Sequence, residues 1–204
     1  MSIDGPRTWD PTQQMRALAS PIRGYARDLI EVLDRHRGNM APAYDEVMPI
    51  LHRFLADPAL AELGVHREGN HTPGSQWLYY DYELEVHLST FQPDVAVPVH
   101  NHGTWEFIAP YRGTFSYTSF TRVDDGSVEG EATLEVAQER TLVPGDAAVC
   151  GPPPEDIHTF TPVGEGVLLL GMNHGPLARR RTYFDVERRR YEVSDSTAWR
   201  KARS

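Results

Sequence analysis

Three histidines in this chain have the type and the spacing to hold a metal ion. His100 and His102 are separated by one residue, and on a β-strand residues i and i+2 project to the same face, so both imidazoles can reach one ion. His158 comes much later in the chain. It can join the pair only if the sheet folds back on itself, as a small closed β-barrel does. Neutral imidazole suits iron, zinc, copper and nickel alike, so these donors leave the metal open. Glu106 shares strand parity with His102, yet a straight strand would hold the two about 13 Å apart. A hairpin at Gly103-Thr104 must therefore intervene before Glu106 can approach the metal. There it would serve as a fourth ligand, as an acid or base, or as an acid salt-bridged within the barrel.

Around this set stand weaker candidates for orienting a substrate. Asn173 and His174 end the stretch Gly171-Met172-Asn173-His174, which leaves an expected strand near the pocket. Tyr117, Phe160 and Trp105 could line that pocket, although aromatic residues in strands are most often core. His36, His52, His66, His71 and His87 are single histidines and read as surface or satisfied packing residues. Cys150 reads as a small buried hydrophobe, since nothing around it in the sequence would lower a thiol pKa.

The elements that must position these groups follow from periodicity. Leu29, Ile30, Val32 and Leu33, then Val47, Ile50, Leu51, Phe54 and Leu55, recur at helical spacing, with Pro21, Pro42 and Pro58 as punctuation. Residues 1–64 are thus a helical extension. Beyond Gly64 the stretches 77–82, 84–89, 95–100, 106–111, 115–121, 133–137, 147–150, 159–161 and 167–172 read as short strands. Turn signals at Asp124-Asp125-Gly126, Pro144-Gly145-Asp146 and Gly164-Glu165-Gly166 separate several of them. Such a series indicates a mainly β barrel or sandwich, here spanning 65–178. The tail 179–204 is expected to pack on the outside of the barrel or on another subunit.

Composition bounds the function. The 204 residues suffice for one main domain. The net charge of −9 argues against nucleic acid or an anionic membrane as partner, since both demand a clustered positive field. The basic runs 179–181 and 188–190 read as solvated charge or subunit contact. With a single cysteine, no intrachain disulfide can form. No apolar run approaches a membrane span, and no secretory signal is visible at the N-terminus, so a cytoplasmic location is expected.

The stretch His100-Asn101-His102-Gly103-Thr104-Trp105-Glu106, followed by Gly113, reproduces the first cupin motif HxHx3Ex6G. The second motif is partial: Gly145, Pro152 and His158 fit, while Pro162 occupies the position of the final asparagine. HxHGTW at 100–105, Pro144-Gly145-Asp146, PPxDIH at 153–158 and Phe184-Asp185 resemble the cysteine dioxygenase-like thiol dioxygenases within the cupins. The resemblance implies a cupin double-stranded β-helix, or jelly-roll barrel, with an N-terminal helical preface. It further implies that His100, His102 and His158 bind Fe(II), although zinc, manganese, nickel and copper are also compatible with the donors. The small-molecule substrate of that family is a thiol, which O2 oxidises to the sulfinate.

The chain departs from the family's Ser-x-His-x-Tyr stretch, where Leu169, Gly171 and Asn173 stand. That departure points to a relative with an altered substrate: a thiol or another small acid or aromatic. Two other readings are an oxygen-independent metal-dependent cupin (isomerase, lyase or hydrolase) and a non-catalytic barrel that binds a small molecule. Cupins commonly pair through sheet edges, so a homodimer is one expected assembly.

Overall fold

Helix α1 (Ile22–His36) turns Ile22, Ala26, Leu29, Val32 and Leu33 to one side, the spacing of a single buried stripe. It stops at Arg37, whose φ of 54° takes the chain into the left-handed conformation while its N–H is held by Asp34 and Leu33. Helix α2 (Met40–Ala56) answers with Ala43, Val47, Ile50, Leu51 and Phe54, and a short α3 (Leu60–Leu63) follows. The computed structural model describes residues 21–37, 40–66, 74–175, 178 and 180–195. Arg179 and His71 lie outside the described residues. No helix among them is long and apolar enough to cross a membrane.

Among the described residues nine strands follow: β1 (Val65–His66), β2 (Gln76–Tyr80), β3 (Leu84–Phe91), β4 (Glu106–Arg122), β5 (Leu134–Leu142), β6 (Ala148–Cys150), β7 (Ile157–His174), β8 (Arg180–Asp185) and β9 (Arg190–Asp195). The first seven form one antiparallel sheet in the order β1-β2-β3-β7-β4-β5, with β6 paired to β4. Together with the helical part this is the expected mainly β fold with an N-terminal helical extension.

The stretches expected as separate strands at 106–111 and 115–121 form one long β4, and those at 159–161 and 167–172 fall within one long β7. The two strands pair from Glu106↔Asn173 to Phe120↔Ile157, with register shifts at Pro110/Arg112 and Arg112/Thr114. At the shift Gly113 has φ 84°, and a Cβ there would lie 2.2 Å from the Gly166 carbonyl oxygen. Only glycine permits that close crossing, and through it one strand serves both walls of the barrel.

Strand β3 has two buried faces. Leu84, Val86 and Leu88 join Phe107, Ala109, Leu170 and Met172 in the core beneath the helices. Glu85, His87 and Ser89 point the other way and are equally buried. That second face looks into the barrel, whose apolar part contains Ile108, Phe115, Tyr117, Phe160 and Leu169.

In the C-terminal segment, β8 lies along the first histidine segment. Phe184 N–H donates to the Val99 carbonyl (2.9 Å), and Asn101 N–H to that of Thr182 (3.1 Å). The Asn101 side-chain oxygen accepts from Thr182 N–H (2.9 Å). A side-chain amide that copies backbone pairing in this way is legible only once the partner strand is known.

Candidate metal centre

Each histidine is set by a different device. His100 and His158 form an antiparallel bridge, each N–H donating to the other's carbonyl at 3.0 Å. Residues opposite one another in such a bridge send their side chains to one face, which brings the distant His158 to His100. The His100 Nδ1–H donates to the Pro98 carbonyl (2.8 Å), and in this tautomer Nε2 is the nitrogen that carries the lone pair.

Beyond His102 the chain turns sharply. The Asp156 carboxylate accepts from the N–H groups of His102 (3.3 Å) and Gly103 (2.7 Å), and Gly103 takes φ 75°. Thr104 Oγ1 then donates to the His174 carbonyl at 3.0 Å, fixing the start of β4. This reversal is what the straight-strand estimate lacked, and it returns Glu106 to the histidines.

The ligand atoms of His100, His102 and His158 lie within 4.8 Å of one another. His102 Nε2 is 3.0 Å from His158 Nε2, and Glu106 Oε2 is 3.2 Å from the first and 3.7 Å from the second. Two donors each about 2.1 Å from one ion and at right angles to it stand about 3.0 Å apart, so the spacing is that of adjacent ligands. All four residues are at most 4% exposed. Burial, reinforced by the Arg181 charge, pushes His102 well below the usual imidazole range and His158 down to about 3. These two rings are therefore neutral, the form that coordinates a cation. The donor set fits a divalent metal.

Of the weaker candidates, the structure brings Asn173, Tyr117 and Phe160 to this centre. Asn173 is fully buried opposite both Glu85 and Glu106 in register; its Nδ2 donates to the Gly175 carbonyl (2.7 Å), while Oδ1 meets no partner among the described residues. The Tyr117 ring stands edge-on to His158 at 5.6 Å, and Phe160 does so at 6.4 Å.

His174 and Trp105 are not brought there. One residue beyond Asn173, His174 falls on the opposite face, where it stacks on Trp105 at 5.9 Å. It also lines a cavity of about 230 Å³ with Leu33, Asp34, Arg37 and Glu83. Trp105 belongs to the core under the helices. Cys150 is buried, and desolvation pushes its thiol well above the usual range, away from any nucleophilic role.

Four residues of the site escaped the sequence reading. Asp156 holds the turn after His102. Glu85 and His87 alternate with apolar neighbours, a pattern that reads as a strand with one wet face. Their buried pair (His87 Nδ1 to Glu85 Oε1, 3.2 Å) sits inside the barrel, and the His87 ring lies over Gly171, where a Cβ would meet it at 2.5 Å. Arg181, in the first basic run, extends its charge to His102, His158 and Glu106.

No family model matches the chain, and no curated protein does. Among solved structures it is similar to KdgF from Halomonas sp., at 18% identity over 54% of this chain and 89% of that one, with a TM-score of 0.39. A cupin superfamily protein from Desulfitobacterium hafniense is 17% identical over 57% and 88%, with a TM-score of 0.38. An RmlC-like cupin from Shewanella frigidimarina is 18% identical over 50% and 75%, with a TM-score of 0.37.

Proposed function

We propose that this protein is a mononuclear non-haem iron oxygenase of the cysteine dioxygenase-like kind, acting with O2 on a small thiol or a related small acid or aromatic. The observation that carries this reading is the convergence of three buried imidazoles and one carboxylate. His100, His102 and His158 would hold Fe(II), with Glu106 either completing the set or accepting the proton of the bound substrate. Fe(II) at such a centre supplies adjacent positions for substrate and O2, so that a thiol R–SH plus O2 yields the sulfinic acid R–SO2H with no further reductant.

The protein's own residues give this chemistry its setting. Tyr117 and Phe160 close one side of the centre against water. The Asn173 Oδ1, without a partner among the described residues, offers a hydrogen-bond acceptor beside Glu106. The Glu85–His87 pair places a further imidazole in the same interior.

Metal analysis of protein purified without supplementation, joined to oxygen uptake across a panel of thiols and small acids, tests the reading. The expected result is about one iron per chain and substrate-dependent oxygen consumption. Absence of any bound transition metal would overturn it. Full turnover without oxygen would select an isomerase, lyase or hydrolase using the ion as a Lewis acid.

A further inference from the structure

The charges of α1 are used in two ways. Arg35 and His36 reach Glu46 of α2, and one helix face further back Asp28 reaches Arg53. Asp34 and Arg37 instead line the cavity of about 230 Å³ together with Leu33, Glu83 and His174. Among the described residues the side chains of Asp34, Arg37 and Glu83 make no hydrogen bond or ion pair. Two acids and one base thus border a single small concavity, none of them answered by a neighbour.

The walls of the cavity are held from outside it. Arg37 takes φ 54°, and its N–H donates to the Asp34 carbonyl (3.3 Å). The Asp81 carboxylate accepts from the N–H groups of Glu83 and Leu84 (both 2.7 Å), and Gly175 N–H donates to the Glu83 carbonyl (2.8 Å). The His174 ring is backed by the buried Trp105, on which it stacks at 5.9 Å. Walls fixed before binding give up little freedom when a ligand arrives.

The lining defines the ligand's chemistry. Asp34, Glu83 and the negative end of the α1 dipole favour a cationic group. The Arg37 guanidinium presents a planar fork that matches a carboxylate, and Leu33 adds an apolar patch. The volume lies below the roughly 300–1,000 Å³ of pockets for drug-sized molecules, so the ligand is small.

We propose that this cavity binds a small zwitterion of the α-amino acid class, its carboxylate on Arg37, its ammonium at Asp34 and Glu83, and a short apolar side chain against Leu33. The site lies on the opposite face of β7 from the metal centre and is independent of the metal reading.

Isothermal titration calorimetry with valine, isobutylamine and isovalerate tests it, since the second probe lacks the carboxylate and the third the ammonium. Valine should bind once per chain, about threefold or more tightly than either fragment, the scale of exposed charge pairs. R37M should lower valine to the affinity of isobutylamine, and the double variant D34N/E83Q should lower it to that of isovalerate. All three side chains are exposed, so melting temperatures close to that of wild type are expected. His158→Ala, which lacks a metal donor, should bind valine as wild type does. Absence of saturable valine binding, a fragment that binds as tightly as valine, or unchanged affinity in either charge variant would overturn the proposal. Loss of binding in His158→Ala would also overturn it, by placing the ligand at the metal centre.

Discussion

The two faces of β3, β7 and β4 are built from alternating residues of the same strands, yet they do opposite work. On the outer face Leu84, Val86, Leu88, Leu170, Met172, Phe107 and Ala109 meet the helices in an apolar core. On the inner face Glu85, His87, Asn173 and Glu106 are buried just as deeply. Apolar burial stabilises at roughly 25 cal/mol per Å², whereas buried polar and ionisable groups are unfavourable unless answered. The outer face thus supplies the stability against which the inner face holds its charged groups in place.

Substitution on either face should separate these roles. The largest effect is expected from His158→Ala, which removes a donor. Metal retention after dialysis, read by elemental analysis, should fall by more than about 100-fold, beyond the loss typical of residues that only support a ligand. Its melting temperature without metal should stay close to that of wild type. Unfolding of the metal-free variant at room temperature would show that the inner face is structural as well.

Leu88→Ala should do the reverse. A fully buried outer-face leucine is removed from under the helices, costing about 2–5 kcal/mol in denaturant titrations with metal stoichiometry unchanged.

Gly171→Ala probes the packing of the inner face itself. Its methyl would strike the His87 ring, so a destabilisation of about 1–3 kcal/mol is expected from overpacking. Adding His87→Ala should recover much of the loss. Additive effects in that double-mutant cycle would contradict the contact.

The smallest effect lies off both faces, at the β4–β5 hairpin. There Asp124 accepts from Arg122 (2.7 and 2.9 Å) and from the Gly126 N–H (2.9 Å), and the Arg122 contact holds its carboxyl well below the ordinary range. A depressed native pKa means stability that is present above the ordinary carboxylate value and lost as pH falls below it. Asp124→Asn should therefore flatten the acid limb of the stability curve while leaving metal retention unaltered. A steeper acid limb in the variant would contradict the assignment.

Legibility in the sequence followed the range of the interaction. The His100-Asn101-His102 spacing and the helical stripes of Leu29 to Phe54 are local, and both could be read from periodicity alone. The approach of Glu106 could not, because it depends on the Asp156 carboxylate capturing two N–H groups across the barrel. His174 was placed beside Asn173 as an equal candidate, and strand parity separated them. Arg181 looked like one more solvated charge, since nothing nearby in the chain announces that β8 pairs with the segment around Val99 and Asn101.

By itself, then, the sequence determined which side chains share a face, because that depends only on the backbone repeat of two or 3.6 residues. It also determined the donor chemistry of the three histidines. Only the tertiary structure decided which face is inside. Closing the barrel turned the polar alternation of Glu85 and His87 from an apparent wet surface into an interior, and it turned an arginine of the tail toward a metal centre. Long-range pairing decides such matters, and no local period encodes it.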